Sequence, residues 1–185
     1  MKNKSIITSL VFAIALINSC KNDDPAPENP EELITTLNVV FTPQGGGAVI
    51  TLQFRDLDGD GGNPPVITGD TLAAQTEYHT ILSFLDESTI PVADITEEIL
   101  DEDEDHQFFF QLSGVQMTHT YDDMDSNGNP IGIVNSFFTG DAANGTFKVI
   151  LRHKPDKSAA GVANGDITNA GGETDIEVLF PVVIQ

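Results

Sequence analysis

Two stretches of this chain repeat a spacing suited to holding a hard cation. Phe54-Arg55-Asp56-Leu57-Asp58-Gly59-Asp60-Gly61 and Tyr121-Asp122-Asp123-Met124-Asp125-Ser126-Asn127-Gly128 each place an aromatic strand end before Asp-x-Asp-x-Asp/Asn-Gly. Side-chain oxygens at alternate positions, with a glycine that permits a sharp turn, form the first half of a calcium loop. The candidate Ca²⁺ ligands are Asp56, Asp58, Asp60 and Asn63 in the first stretch, and Asp123, Asp125, Asn127 and Asn129 in the second. Ile67 and Val134 stand where an EF-hand carries its bidentate glutamate. Any Ca²⁺ would therefore need backbone carbonyls or other loops to complete its shell. Asp, Asn and Gly also build tight turns through side chain–backbone hydrogen bonds, and the spacing admits both readings.

A second group could hold a transition metal. Seven of the nine residues from Glu97 to Asp105 are carboxylates, and His106 follows them directly. Imidazole and carboxylate together suit such an ion. The histidines are His79, His106, His119 and His153, no two of them at i, i+2 or i, i+4, so only the fold can make them meet. A solvated acidic face has the same composition. Catalytic signatures are missing: there is no Gly-x-Ser-x-Gly, His-Glu-x-x-His or phosphate-cradling glycine loop. With 29 Asp and Glu, an acid–base pair can always be drawn, so drawing one selects nothing. The expectation is a protein that is not an enzyme.

The remaining reactive group is the sole cysteine, Cys20. Lys2 and Lys4 open the chain, and the apolar run Ile6 to Ile17 is too short for a spanning helix of ~20 residues. Ile17-Asn18-Ser19-Cys20 resembles the lipobox of bacterial lipoproteins. The resemblance implies diacylglycerol on the Cys20 sulfur, cleavage just before it, and acylation of its amine by a chain such as palmitate. At ~0.8 kcal/mol per buried methylene, two or three acyl chains make a lasting membrane anchor. A lone cysteine also means no internal disulfide, so the fold must be held by packing and hydrogen bonds.

These signals divide the chain into a signal peptide at 1–19, a lipidated cysteine with a Pro- and acid-rich tether at 20–32, and a single domain at 33–185. Lys21 followed by Asp23 and Asp24 resembles the lysine-then-acids tag of surface-exposed Bacteroidota lipoproteins. It implies an outer-membrane protein, on the cell surface rather than the periplasmic face. The formal charge of -21 becomes more negative when Lys2 and Lys4 leave with the signal. So large an excess argues against nucleic acid and anionic lipid heads as partners, and for cations or plain solubility.

The elements that must position these groups are strands. Leu33, Thr35, Leu37, Val39 and Phe41 alternate, Pro43 to Gly47 turns, and Ala48, Ile50, Leu52 and Phe54 return. Similar alternation covers Tyr78 to Phe84, Phe108 to Leu112, Val115 to Tyr121, Ile131 to Phe138, Phe147 to His153 and Ile176 to Ile184, where Pro181 suggests a sheet edge. Asp94, Ile95, Ile99 and Leu100 outline a short helix that the following acids should fray. The Gly-, Ala- and Asn-rich stretch 154–173 is long for a connection, as binding loops are. Seven to nine strands with at most one short helix predict an all-β protein, an antiparallel immunoglobulin- or fibronectin-like β-sandwich. Leu72-Ala73-Ala74-Gln75-Thr76-Glu77-Tyr78 resembles the Leu-x-x-x-Thr-x-Tyr stretch of fibronectin type III domains, which implies a tyrosine hydroxyl pinned to nearby backbone.

Leu-Gln-Phe-Arg-Asp-Leu-Asp-Gly-Asp-Gly-Gly at 52–62, His-Gln-Phe-Phe-Phe at 106–110 and Asn-Gly-Asp-Ile-Thr-Asn-Ala-Gly-Gly at 164–172 resemble small flavobacterial lipoproteins. These are labelled with a type 1 periplasmic binding fold and associated with TonB-dependent receptors. The label implies two α/β lobes, whereas the alternation implies strands, and the β expectation is kept. Function is then expected to be binding of a ligand, such as a metal ion, as an accessory to nutrient uptake. The alternative is a structural or adhesive, calcium-stabilised sandwich whose partner is another envelope protein.

Overall fold

The computed structural model describes residues 33–59 and 62–185. Cys20, the tether and Asp60 lie outside the described residues. The chain is mostly β, in two sheets. The first sheet holds β1 (Thr36–Pro43), β2 (Ile50–Arg55), β3 (Val66–Thr68), β5 (Glu77–Asp86), β6 (Ala93–Asp94), β8 (Met117–Tyr121) and β9 (Val134–Thr139). Its order is β3-β2-β1-β5-β9-β8, with β6 beside β5. The second sheet, ordered β4-β11-β10-β7, holds β4 (Thr71–Leu72), β7 (His106–Ser113), β10 (Ala143–His153) and β11 (Glu173–Ile184). Three of these strands have only two or three residues, which is why the sequence pattern yields fewer.

All pairs are antiparallel except β4 with β11. In immunoglobulin lettering, β1, β5, β9 and β8 follow the order A, B, E, D, and β7, β10 and β11 follow C, F, G. The hairpin β2–β3 is an addition at the A edge. Tyr78 is buried, and its hydroxyl accepts the Ala73 N–H at 2.8 Å. It opens β5, the B position, whereas the tyrosine corner of immunoglobulin-like domains opens F.

The core lies where the two inner faces meet. From the first sheet come Leu37, Val39, Phe41, Leu52, Leu82, Phe84 and Phe137, and from the second Phe108, Phe147, Val149, Leu151, Phe180 and Val182, all nearly inaccessible. Period-two alternation dictates this, because each strand is apolar on one face only. Three expected inward residues depart from the pattern. Leu33 and Ala48 are exposed because they precede their strands, and Phe54 is only half-buried near the end of β2. Pro181 lies where β11 has β10 on one side, since β4 pairs only with Val183 and Ile184, so its missing N–H breaks no ladder there.

Helix α1 (Ile95–Asp101) starts at Asp94, whose carboxylate accepts the Thr96 N–H at 3.0 Å. Ile95 and Ile99 are buried, while Leu100 points to solvent, because a seven-residue helix meets the sheet along a narrow stripe. The acids after it form one 3₁₀ turn, Asp103–Asp105.

The stretch expected to be a binding loop is a lid on the second sheet. Two 3₁₀ turns, Val162–Asn164 and Ile167–Asn169, bring Val162 and Ala170 over Phe109 and Ile150, which face away from the main core. Gln107 Nε2 donates to the Val162 carbonyl at 2.8 Å. Burying Phe109 and Ile150 contributes about 2 kcal/mol each. Replacing Tyr78 by Phe leaves the Ala73 N–H without its acceptor. The expected cost is about 1–2 kcal/mol, read as a lower urea midpoint at unchanged slope.

Candidate functional site

His106 is the first residue of β7 and His153 the last of β10, and the register sets them directly opposite each other. Opposed residues of an antiparallel pair share a face, so both imidazoles project with Phe108 and Leu151 toward the inside of the sandwich. Their rings stack at 4.9 Å, within 8° of parallel. His106 is almost fully buried, and its Nδ1 lies 3.0 Å from the Glu102 carbonyl. That contact requires the proton on Nδ1, so in the neutral tautomer the lone pair sits on Nε2. Burial pushes the His106 pKa below the ordinary range, the Glu102 carbonyl opposes this, and His153 adds to the lowering. His153 is half-buried, and its Nε2 has no hydrogen-bond partner among the described residues.

Asp175 completes the cluster through a fault in the ladder. Leu151 pairs with Ile176 and Arg152 with Thr174, so Asp175 is an extra residue, a β-bulge. Regular alternation would turn Asp175 outward between Thr174 and Ile176. A bulge re-aims side chains, and this one sets Asp175 on the histidines' side. Its Oδ2 lies 3.7 Å from His106 Nε2 and its Oδ1 3.8 Å from His153 Nδ1. Gly172 (φ +69°) lets the incoming chain pass: a Cβ there would stand 2.2 Å from the His153 carbonyl oxygen. Glu102, beyond the end of α1, supplies a carboxylate from the other side. Glu102, His106 and His153 each offer one ligating atom, all within 4.8 Å of one another, and no other such group occurs among the described residues.

The aspartate loops are organised differently. In the first, Asp56 accepts the Gly59 N–H at 3.0 Å, and Asp58 accepts the Asn63 N–H at 3.0 Å and the Asn63 Nδ2 at 2.7 Å. These bonds hold the Asp58 carboxyl below its ordinary pKa. In the second, Asp123 accepts three backbone amides, from Gly132, Ile133 and Val134, at 2.7–2.9 Å. Asp125 accepts those of Asn127 and Asn129 and the Lys157 ammonium, at 2.9 Å. Asn127 and Asn129 thus supply N–H donors to this centre. Lys157 is itself buried and also donates to the Asp103 carbonyl at 2.6 Å. Burial works against the Asp125 charge, but Lys157 and the two amides outweigh it and keep the pKa low. A lysine ammonium and backbone amides occupy oxygens that a calcium loop would turn on its ion.

The other two histidines stand apart from the pair. His79, on β5 opposite Ser136, alternates with the buried Tyr78 and Thr80 and so faces away from the core. His119, on β8, packs against Phe110, Tyr121 and Phe137 with ring centroids at 4.9, 4.5 and 5.2 Å. Its buried Nε2 has no hydrogen-bond partner among the described residues, and burial pushes its pKa down to about 4, against a weak opposing pull from Asp122. It behaves as a core aromatic.

Compared with protein-family models, curated proteins and solved structures, the chain finds no match. No helix among the described residues is long and apolar enough to cross a membrane. Sequence reasoning missed Asp175 and Lys157. Asp175 reads as one more outward polar residue in an alternating strand, and a bulge leaves no mark in composition. Lys157 reads as a solvated loop lysine.

Two outcomes follow from these environments. Lys157→Met alone strands a buried carboxylate and should cost about 3–5 kcal/mol in urea unfolding, whereas Lys157→Met with Asp125→Asn should cost much less. His119 is neutral in the fold while its unfolded counterpart, near 6.5, takes up a proton as the pH drops. Stability is therefore full above that value and falls as the pH moves from 6.5 toward 4. Between pH 7 and 5 the expected loss is about 1–2 kcal/mol, discounted for partial exposure, and His119→Phe should flatten the slope.

Proposed function

We propose that this chain is a non-enzymatic outer-membrane lipoprotein, moored through Cys20, that binds a divalent transition-metal ion as an accessory to uptake. The observation that carries the reading is the convergence of His106 and His153, from two adjacent strands, with the Glu102 carboxylate. Two imidazoles and a carboxylate are a donor set for borderline divalent ions, where calcium takes oxygen alone. The strongly anionic body raises the local concentration of cations, and the acidic run Asp101–Asp105 directly precedes His106 in sequence. The lipobox-like Ile17-Asn18-Ser19-Cys20 supports the anchor, and the Lys21-Asp23-Asp24 tag supports the cell surface. The receiving partner would be a TonB-dependent receptor or another envelope protein. The engagement of Asp123 and Asp125 with amides and Lys157 favours this over the calcium-stabilised structural alternative.

The test is made on full-length protein extracted from membranes. An acylated Cys20 in the mass spectrum and about one equivalent of Zn²⁺ bound in excess Mg²⁺ are expected, with binding abolished in His106→Gln/His153→Gln. An unmodified thiol in a freely soluble product would remove the anchor, and unchanged Zn²⁺ binding in the double variant would remove the site. A rise in melting temperature with millimolar Ca²⁺ alone would bring the structural alternative forward.

A further inference from the structure

Building on that metal-binding reading, we infer that Asp175, delivered by the bulge in β11, adds a second carboxylate to the His106, His153 and Glu102 donors, so that the ion joins three neighbouring strands at one end of the sandwich. The strand-borne ligands would be His106 from β7, His153 from β10 and Asp175 from β11, strands adjacent in the order β11-β10-β7, with Glu102 beyond the end of α1. Asp175 lies near both imidazoles. Tetrahedral bonds near 2.1 Å place ligand atoms about 3.4 Å apart, and the Asp175 oxygens stand 3.7 and 3.8 Å from the two ring nitrogens.

The bulge is the second, independent observation. A regular β11 would point Asp175 away from the histidines and place no carboxylate between them. The strand instead gives up one ladder position to turn a carboxylate inward beside two imidazoles, and bulges gather where a side chain must be re-aimed. His106 is set for the role, because the Glu102 carbonyl takes its Nδ1–H and Nε2 faces Asp175. Asp175 also forms part of the wall of a cavity of about 630 Å³, together with Ile34, Phe54, Asp56, Thr174 and Glu177. A bound ion lies near the plane of each ligating ring, and two stacked parallel rings cannot both satisfy that. Binding must therefore turn one ring out of the stack. His153 is the ring that moves, since it is the more exposed and His106 is tied to the Glu102 carbonyl.

The experiment titrates full-length protein with Zn²⁺ and with Co²⁺ in excess Mg²⁺, comparing wild type with Asp175→Asn and with His79→Gln as the control. Asp175→Asn should weaken binding by about 10–100-fold or more and alter the visible Co²⁺ spectrum, while His79→Gln changes neither. The melting temperature of each metal-free variant shows whether it folds. Should Asp175→Asn fail to fold, Asp175→Glu keeps the charge and shifts the carboxylate by one methylene, and its Co²⁺ spectrum must differ from wild type. If wild type binds and the Asp175 variants match it in affinity and spectrum, Asp175 is no ligand, although the histidine site stands. If wild type binds neither ion, the metal-binding reading itself falls.

Discussion

A sandwich with a single cysteine, and so no internal disulfide, depends on what crosses the gap between its sheets, and here phenylalanine does most of that. Phe41 on β1 meets Phe147 on β10 at 6.0 Å, and Phe84 on β5 stacks on Phe108 of β7 at 4.9 Å. Phe137 from β9 contacts both Phe110 and Phe147 edge-on. Aromatic pairs in these geometries contribute about 0.5–1.5 kcal/mol each beyond the area they bury. They also fix which residue faces which across the gap. A one-residue slip in any of these strands would send its rings to solvent, so the register is held tightly. That register is what places His106 opposite His153.

The candidate site follows from the same packing, at the point where it ends. Phe108 and Leu151 are the last apolar pair of their ladder, and His106 and His153 occupy the next inward positions. A polar pair is tolerated there because the helix turn brings Glu102 to one side and the bulge brings Asp175 to the other. The site is thus the polar closure of an apolar core. Burial and the Glu102 carbonyl act on the His106 ring, and the Asp175 carboxylate faces both imidazoles.

The charge on this protein is handled by two physical devices. Asp56, Asp58, Asp94, Asp123 and Asp166 turn their oxygens onto backbone amides and so serve as turn and helix caps. Asp125 pairs with the buried Lys157, which ties the lid over the second sheet to the loop before β9. Carboxylates used in this way stabilise loops that have no disulfide or large core of their own. The lid repays the arrangement by covering Phe109 and Ile150, which would otherwise be an apolar patch on an outer face.

The strands were legible because each is buried on one side, and period-two alternation survives in the residue order. So were the cap of α1 at Asp94 and the turn chemistry of the Asp-Gly loops, which are local. Ala48, Leu100 and Phe54 departed from the pattern at element ends, where burial is set by what packs alongside. The sequence by itself determined an all-β body, its inward faces and its anionic surface. Tertiary structure alone decided that His106 and His153 meet while His79 and His119 stay apart, that Lys157 satisfies Asp125, and that Asp175 turns inward. Each of these joins residues distant in the chain through strand register or one inserted bulge residue, and neither spacing nor composition encodes which strands become neighbours.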